Sequence, residues 1–315
     1  MIAAIGAFDG FHRGHQKLFA KAREIAERKR DSWGVITFYP HPQSFLTEEP
    51  FAVLFTEREK DFLVRKLHIP ELIRLPFTRR LAELSPDEFV ECLEKKYFLQ
   101  GVVVGEDFRF GKARSGDAKL MKTLGSRKGW DVDIVGSLRL GNEKASSSAV
   151  RRMVLAGNVA DAGDMLGYPF FVTGNVVRGD GRGQKLGFPT ANLHVPPEKI
   201  VPDRGVYSGA LLCESDLYPA AVNIGYNPTF KGVRGLRVEA HALDCTTDFY
   251  GKNASLFFLD RIRNEMRFDR VEQLIDRISS DVSSARKSWN RRGGSLRTWL
   301  DNDGQGISYT GSCEH

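Results

Sequence analysis

Cysteines are scarce in this sequence, and their spacing links none of them. The 315 residues include four cysteines, Cys92, Cys213, Cys245 and Cys313, and no two of them form a CxxC pair. A disulfide framework and a zinc site both need cysteines at close, regular spacing, so the sequence favours neither. We expect these thiols to be buried or chemically idle.

Long apolar runs are absent as well. No stretch approaches the roughly 20 apolar residues that a membrane-spanning helix requires. The N-terminal segment, Met1 to Phe8, lacks the basic flank, the longer apolar run and the small-residue cleavage site of a secretory signal. We therefore expect a cytoplasmic protein with no membrane partner.

Two familiar phosphate-binding motifs are also missing. Neither the GxGxxG pattern of dinucleotide-binding folds nor the GxxxxGK[ST] pattern of P-loops occurs, and the two halves show no internal repeat. Any nucleotide site must therefore use another arrangement.

The composition is that of an ordinary globular protein, 41% hydrophobic and 27% charged, and the length suits two domains. Lys and Arg outnumber Asp and Glu by 46 to 40. A modest positive charge suits nucleotides and nucleic acids alike, so the charge does not choose between them.

The first half alternates β-rich runs with longer helix-like runs, which is the pattern of a parallel sheet flanked by helices. The strand candidates are residues 2–8, 33–38, 72–75, 101–104 and 132–135. Two helix starts have capping-box spacing, Thr56 with Glu59 and Ser85 with Glu88. Helices at 148–156 and 159–166 end this half, so we place the first domain at residues 1–166.

After Gly167 the chain changes to short β-rich runs separated by glycine and proline. These runs are residues 170–177, 205–212, 220–224, 236–243 and 254–258. They predict a small antiparallel barrel or sandwich over residues 167–290. An amphipathic helix with Val271, Leu274, Ile275 and Ile278 on one face follows. Residues 291–315 are polar and glycine-rich, so we expect a mobile, dispensable tail.

The junction of the first strand and the first helix is the most informative segment, Gly6-Ala7-Phe8-Asp9-Gly10-Phe11-His12-Arg13-Gly14-His15. A strand-to-helix turn directs free N–H groups and the positive end of a helix at one point, which suits phosphate. His12 and His15 can face the same phosphate, and Gly14 leaves space for a nucleotide. Taken alone, the two histidines could also be surface residues or half of a metal site.

This string resembles the HxGH signature of the nucleotidylyltransferase superfamily. Three further strings are similar to one branch of it, the FMN adenylyltransferase module of bacterial FAD synthetases. They are Thr37-Phe38-Tyr39-Pro40-His41-Pro42, Val104-Gly105-Glu106-Asp107-Phe108-Arg109-Phe110-Gly111 and Ser146-Ser147-Ser148-Ala149-Val150-Arg151. The resemblance implies a Rossmann-like sheet whose ligands bind after the strands.

The resemblance also implies roles for individual residues. ATP would be bound by Gly6, Phe8, Asp9, Gly14, Ser147 and Ser148. The flavin would be bound by Asp107, Phe108, Arg109 and Phe110. Phe108 and Phe110 could equally be core residues at a strand end. His12, His15 and Arg151 would stabilise charge while FMN attacks the α-phosphorus of ATP and pyrophosphate leaves.

A second phosphate-binding segment lies in the later half, Gly179-Asp180-Gly181-Arg182-Gly183-Gln184-Lys185-Leu186-Gly187-Phe188-Pro189-Thr190-Ala191-Asn192. Its glycines allow backbone N–H groups to surround phosphates, and Lys185 adds a positive charge. Thr190 and Asn192 offer oxygen ligands for Mg²⁺. By itself, a glycine-rich loop could also be a flexible hairpin.

This segment resembles the riboflavin kinase module. The similarity extends to Gly205-Val206-Tyr207, Asn223-Ile224-Gly225-Tyr226-Asn227-Pro228-Thr229 and Asp248-Phe249-Tyr250-Gly251. It implies a small antiparallel β-barrel with a C-terminal helix, in which Gly181, Gly183, Lys185 and Thr190 bind ATP while Thr190 and Asn192 bind the metal.

The string Val238-Glu239-Ala240-His241-Ala242-Leu243 matches the strand that carries the catalytic base of that module. Glu239 would therefore accept the proton of the riboflavin hydroxyl. Without this match, a solvent-facing glutamate on an alternating strand is the simpler explanation. We expect His241 to be structural.

Two modules in this order imply an enzyme that phosphorylates riboflavin to FMN and adenylylates FMN to FAD, using ATP and Mg²⁺ or a similar divalent cation. Riboflavin, FMN, FAD and ATP would be its partners, with no nucleic acid, and the enzyme would be a monomer or a weak homo-oligomer. One alternative is a chain with only one of the activities. Another is a nucleic-acid-binding regulator, because basic residues cluster near the C-terminus at Arg286, Lys287, Arg291, Arg292 and Arg297.

Overall fold

The computed structural model describes residues 1–47, 51–227, 235–302 and 308–309. Contacts between residues divide the chain into two compact units, Met1–Ser147 and Ser148–His315. Each unit is built around its own sheet.

The first unit contains a five-stranded parallel sheet. Its strands and two short hairpins are β1 (Ile2–Ile5), β2 (Trp33–Tyr39), β3 (Leu72–Pro76), β4 (Gly101–Gly105), β5 (Arg109–Phe110), β6 (Gly116–Asp117), β7 (Asp131–Val135), β8 (Arg139–Leu140) and β9 (Glu143–Lys144). The sheet has the order β3-β2-β1-β4-β7, and every neighbouring pair is parallel. The predicted Rossmann-like sheet is confirmed.

Helices cover this sheet. They are α1 (Arg13–Lys29), α2 (Pro42–Leu46), α3 (Glu57–Lys66), α4 (Arg79–Ala82), α5 (Pro86–Lys96) and α6 (Ala118–Arg127). Both predicted capping boxes are present, at Thr56 with Glu59 and at Ser85 with Glu88. Each cap satisfies N–H groups that have no partner inside the helix, which is worth about 1 kcal/mol.

The strand order explains where a ligand can bind in this unit. The chain leaves β1 in one direction to reach β2, and it later returns to the other side of β1 to form β4. The loops after β1 and β4 therefore diverge at the carboxyl end of the sheet and leave a crevice there. All four residues of β1 are buried, so the strand is a fixed support for the turn that follows it.

The second unit is an antiparallel barrel with flanking helices. Its elements are α7 (Ser147–Leu155), α8 (Val159–Leu166), β10 (Phe171–Val177), α9 (Arg182–Lys185), β11 (Ala191–His194), β12 (Gly205–Cys213), β13 (Asp216–Asn227), β14 (Gly235–Ala242), β15 (Asn253–Arg263), α10 (Val271–Asp301) and β16 (Ser308–Tyr309). The order β12-β15-β10-β11-β14-β13 closes through an additional β12–β13 pairing, and β16 adds to β13. The predicted barrel with a C-terminal helix is confirmed.

The structure divides the chain earlier than the predicted boundary after residue 166. Helices α7, beyond its first residue, and α8 group with the barrel. Arg261 on β15 donates a hydrogen bond to the Ala156 carbonyl over 2.9 Å. A Cβ on Gly157 would lie 2.7 Å from the Tyr207 hydroxyl, so this turn packs closely on the barrel.

The prediction of a mobile tail from residue 291 is wrong for residues 291–301, because α10 continues to Asp301. Leu296 and Leu300 are buried, and the Trp299 ring stacks on Tyr168 at 5.1 Å between centroids. Trp289, Gly293, Leu296 and Leu300 follow one another at helical spacing, but the polar residues between them hid this pattern. Residues 303–307 and 310–315, with Cys313, lie outside the described residues.

Replacing Leu300 with Ala should lower the free energy of unfolding of the second unit by about 2–5 kcal/mol, because the side chain is fully buried. Leu155→Ala is the matched control: Leu155 is 54% exposed, and the same change there should cost less than about 0.5 kcal/mol. Urea unfolding of both variants measures the difference. Equal losses, or full stability in a chain that ends at Arg292, would show that the last helical turns contribute nothing.

Candidate active site

His12 caps helix α1, directly after the turn that leaves β1. Its Nδ1 accepts a hydrogen bond from the backbone N–H of His15 over 3.3 Å, and its ring stacks on the His15 ring at 3.6 Å between centroids. A neutral imidazole that accepts at Nδ1 carries its proton on Nε2. His12 can therefore donate a hydrogen bond from Nε2 to an anion.

Both histidine side chains are held in their neutral form. Burial lowers the pKa of His12 to about 4. Burial also lowers the pKa of His15 well below its usual range, and the neighbouring His12 adds to that effect. His15 Nδ1 is buried without a hydrogen-bond partner in the described part of the chain. Such an atom costs about 1–3 kcal/mol unless a ligand or water satisfies it.

The turn between β1 and His12 has an unusual backbone. Phe8 and Phe11 have positive φ angles of 38° and 34°, and Gly10 has a φ of 96°. Two buried contacts fix this turn: the Asp9 carboxylate accepts from the Leu54 N–H over 3.0 and 3.1 Å, and the Thr37 hydroxyl donates to the Ala7 carbonyl over 3.0 Å. The Asp9 side chain is therefore used inside the protein, where it holds the turn in place.

Two glycines near the turn lie close to neighbouring rings. A Cβ on Gly6 would lie 2.9 Å from the Phe8 ring, and a Cβ on Gly14 would lie 3.0 Å from the His12 ring. The missing side chain at Gly14 thus leaves room for the His12 ring. The expectation that Gly14 also leaves space for a nucleotide stays a prediction.

The serine-arginine string opens helix α7. The Ser147 hydroxyl donates to the Asp9 carbonyl over 2.5 Å. The first residue of α7 is therefore hydrogen-bonded to the turn between β1 and His12, which we call the histidine turn. Ser148 and Arg151 follow on the same helix, and Arg151 lies one turn after Ser147.

The segment after β4 places its predicted flavin residues in different surroundings. Phe110 is buried in the core, where its ring approaches Phe89, so the core interpretation applies to it. Phe108 is partly buried and stacks on Phe110 at 5.6 Å between centroids. Asp107 pairs with Lys144, and Arg109 is exposed.

In the second unit, the barrel register brings three polar residues into one row. Glu239 on β14 pairs directly with Asn192 on β11 and with Asn223 on β13. Because direct cross-strand partners point to the same face, the three side chains lie side by side. A helix or loop motif could not create this row.

Two clefts lie beside this row. The α10 cleft has a volume of about 360 Å³ and is lined by Glu239, Asn223, Arg263 and apolar residues that include Phe188, Leu274 and Ile278. The β10 cleft has a volume of about 540 Å³ and is lined by the end of β10, with Arg178, and by residues 245–250. Gly181, Thr190 and Asn192 line both clefts, so they lie at the boundary between them.

Glu239 is a partly buried carboxylate in the α10 cleft, with a side chain 25% exposed. Burial raises its pKa; Arg237 opposes this shift, Asp180 adds to it, and a hydrogen bond with Asn223 opposes it. A raised pKa makes the carboxylate a stronger base.

The glycine-rich loop contributes backbone groups to the clefts, but not the charge of Lys185. A Cβ on Gly183 would lie 2.3 Å from the Phe188 carbonyl oxygen, and Gly181 has a positive φ of 67°. Lys185 is exposed and is not among the residues that line these two clefts. The structure therefore does not place Lys185 at the clefts, although Gly181, Gly183 and Thr190 are there.

His241 braces this loop. Its Nδ1 lies 2.8 Å from the Pro189 carbonyl, which can only accept, so Nδ1 donates. The Phe188 ring meets the His241 ring edge-on. These contacts suit the expected structural role.

Several residues of the clefts were missed at the sequence level. Asp180 and Arg237 form a two-point ion pair at the edge of the α10 cleft. Asp281 on α10 binds Arg263 deeper in the same cleft over 2.7 Å. Arg237 lies two residues before Glu239 on one strand face, a signal that strand alternation could have provided. Pro228 and Thr229, from one of the kinase strings, lie outside the described residues.

The basic cluster near the C-terminus is largely paired within the unit. Arg286 binds Asp244, and Arg291 and Arg292 both bind Asp260. Arg297 lies over the Trp289 ring at 5.0 Å. These contacts favour a structural role for the cluster.

Two features are absent from the described residues. No helix in that part of the chain combines the length and apolar character needed to cross a membrane. The same residues hold no group of three or more His, Cys, Asp or Glu side chains that could bind a metal ion.

Comparisons with known proteins also find two modules in the chain. Residues 1–149 match the FAD synthetase family model and residues 166–289 match the riboflavin kinase model. Proteins named bifunctional riboflavin kinase/FMN adenylyltransferase are similar along their length. The chain is 35% identical to the one from Escherichia coli K12 (91% of this chain, 92% of that protein). It is 33% identical to that of Listeria monocytogenes (90% and 91%).

A solved structure has the same fold. The crystal structure of a protein named a macrolide-efflux protein, from Streptococcus pneumoniae, superposes with a TM-score of 0.83 at 32% identity. It covers 90% of this chain and 93% of its own.

The buried histidines should make the protein less stable in acid. Between pH 6.5 and 4, the unfolded chain binds a proton at His12 while the folded chain does not, so the free energy of unfolding falls as pH decreases. His12 alone should account for roughly 3 kcal/mol at pH 4. His12→Asn retains an N-cap acceptor, and urea unfolding from pH 4 to 7 should show a weaker pH dependence in this variant.

The control is His68→Asn. His68 is exposed, and its positive φ of 51° suits Asn. This variant should keep the pH dependence of the unmodified protein, and an unchanged pH dependence in His12→Asn would contradict the assignment.

Proposed function

The chain belongs to the bifunctional riboflavin kinase/FMN adenylyltransferase family, which makes FMN and then FAD with ATP. We propose that riboflavin is phosphorylated in the second unit and that FMN is adenylylated at the histidine turn of the first. The observation that carries this proposal is the arrangement of the second unit, where Glu239 lines the α10 cleft and Thr190 and Asn192 lie at the boundary of that cleft with the β10 cleft. A base, a phosphate loop and two ligand spaces are the parts that a kinase acting on an alcohol needs.

In the second unit, we assign riboflavin to the α10 cleft and ATP to the β10 cleft. The apolar residues of the α10 cleft suit an aromatic ring system, and the shared residues Gly181 and Thr190 would lie where the γ-phosphate meets the hydroxyl. Glu239 accepts the proton of the riboflavin hydroxyl as its oxygen attacks the γ-phosphorus. The bond from that phosphorus to the bridging oxygen breaks, and ADP leaves.

The residues at the boundary fit a magnesium ion bound together with the phosphates. Mg²⁺ in nucleotide sites uses one or two protein oxygens, with phosphate oxygens and water completing the shell. Thr190 offers its hydroxyl, and Asn192 offers Oδ1 because its amide nitrogen donates to the Thr190 carbonyl over 3.4 Å. When bound, the ion neutralises phosphate charge.

In the first unit, we assign ATP to the histidine turn. The His12 Nε2–H and the nearby His15 would donate to the phosphate oxygens, and the Ser147 hydroxyl would bind them as well. The roles of Ser148 and Arg151 at the phosphates stay predictions from the sequence. An FMN phosphate oxygen attacks the α-phosphorus of ATP, and pyrophosphate leaves, with no covalent enzyme intermediate. Because the imidazoles are neutral, they can donate hydrogen bonds to the phosphate oxygens without adding a positive charge that would hold the product in the site.

We assign the flavin of this reaction to the segment after β4. Phe108 offers a ring face supported by the buried Phe110, and Asp107 and Arg109 offer polar contacts. Phe110 supports the site from the core and does not itself face the flavin.

We further propose a cytoplasmic enzyme, monomeric or weakly associated, that uses neither membrane nor nucleic acid. ATP is available in the cytoplasm, and the described cysteines, Cys92, Cys213 and Cys245, are free, as in reducing compartments. Sedimentation at micromolar concentration tests the association. A salt-sensitive gel shift with duplex DNA or RNA would contradict the absence of nucleic acid.

Glu239→Gln keeps the size of the side chain but removes its ability to accept a proton. Riboflavin phosphorylation should fall by about 10²- to 10⁴-fold, while added FMN should still become FAD. Chromatographic separation of riboflavin, FMN and FAD measures both reactions in one sample. Loss of both activities in a folded variant would contradict separate sites.

Replacing His12 and His15 together should have the opposite effect. A His12→Asn/His15→Asn variant keeps an N-cap acceptor but loses both imidazoles, so it should stop at FMN when given riboflavin and ATP. The adenylylation rate should fall by at least about 10²-fold, with riboflavin phosphorylation unchanged. Near-normal FAD formation would remove both residues from the reaction.

A further inference from the structure

Asp180 and Arg237 form an ion pair across the edge of the α10 cleft. The two guanidinium nitrogens Nη1 and Nη2 of Arg237 bind the two carboxylate oxygens of Asp180 over 3.0 and 3.2 Å. Arg237 lies on strand β14, and Asp180 lies in the glycine-rich loop. The pair therefore joins the loop to the strand that carries Glu239.

Arg237 is also within reach of Glu239. The two residues are two apart on β14, so they share a face of the strand, and Arg237 Nη1 lies 3.7 Å from Glu239 Oε1. An arginine fork prefers to bind one carboxylate at two points. Asp180 and Glu239 thus compete for one guanidinium, and Asp180 holds it in this structure.

This competition affects how well Glu239 can act as a base. A carboxylate in a two-point pair with arginine has both oxygens occupied and a lowered pKa, so it accepts a proton poorly. A carboxylate with the arginine at 3.7 Å, beyond hydrogen-bond distance, can still accept a hydrogen bond from a substrate hydroxyl.

We propose that Asp180 is a positioning residue of the kinase reaction: by binding Arg237 at both oxygens, it keeps Glu239 free to accept the proton of the riboflavin hydroxyl. This inference rests on the assignment of Glu239 as the base. The proton moves from the hydroxyl to Glu239, the hydroxyl oxygen bonds to the γ-phosphorus, and ADP takes the electron pair of the bond that breaks. Asp180 takes no part in the bond changes.

The location of Asp180 links the base to the loop. Gly179 and Gly181 flank Asp180, and a Cβ on Gly179 would lie 2.4 Å from the Asn192 amide. The loop therefore packs closely against Asn192 at the residue before Asp180.

Other charged groups face Glu239 and must be kept constant in a test. They are Arg237 and His241 on its own strand, Arg182 and Asp180 in the loop, and Arg263, Glu265 and Asp281 across the cleft. Substitutions limited to Asp180 and Arg237 leave the remaining groups unchanged.

Asp180→Asn should lower kcat for riboflavin phosphorylation by about tenfold and move the acidic limb of the kcat–pH profile down by about one pH unit, because Arg237 then binds Glu239. Arg237→Gln alone should move that limb up by a similar amount, since the cation is gone. The double variant should regain most of the rate that Asp180→Asn loses. Recovery on removal of a second residue is not expected if Asp180 merely stabilises the loop.

Three controls make the outcomes distinct. Glu214→Gln removes a different acidic partner in an ion pair, with Lys252 at 3.0 Å, away from both clefts, and should leave the profile unchanged. FMN adenylylation in the same samples reports an intact protein. Glu239→Gln tests the base itself: if it keeps full kinase activity, the assignment of the base fails and the inference falls with it.

If Glu239→Gln is inactive but Asp180→Asn keeps the kcat and the pH limb of the unmodified enzyme, the inference alone is overturned. It is also overturned if the double variant is as slow as Asp180→Asn. Restored rate in the double variant, with limbs that move in opposite directions in the single variants, supports it.

Discussion

Each candidate site depends on a titratable side chain that is partly shielded from water. In both sites this side chain lies beside backbone that can bind phosphate. Removing water favours the uncharged form of each group. Burial accordingly lowers the pKa of His12 and raises that of Glu239. Burial therefore favours an uncharged imidazole at His12 and makes the Glu239 carboxylate a stronger base. The same exclusion of water thus gives the two units different chemistry.

In the first unit, this burial is possible because β1 is covered on both faces and ends at the point where the strand order reverses. The turn after β1 then needs support, since two phenylalanines in it have positive φ angles. The Asp9 carboxylate and the Ser147 hydroxyl supply that support. A charged residue that a motif would assign to the ligand is thus used to shape the backbone around it.

In the second unit, strand pairing in the closed barrel positions the residues of the site. Pairing of β11, β14 and β13 aligns Asn192, Glu239 and Asn223, and any shift of one residue would turn Glu239 to the other face. Helix α10 contributes Asp281 to the same cleft and is anchored by the buried Leu296 and Leu300 near its end. Apolar residues far from the chemistry therefore hold one wall of the cleft.

Features that depend on neighbours along the chain could be predicted from the sequence. The parallel and antiparallel sheets, the capping boxes at Thr56 and Ser85, and the histidine turn all follow from short-range spacing, because a few residues decide a local conformation. The tertiary structure was needed to show that Phe110 lies in the core, that Lys185 lies away from the clefts and that α10 reaches Asp301. It alone brought Asp180 to Arg237, 57 residues later. Such contacts depend on strand register and loop packing, which no local pattern in either segment specifies.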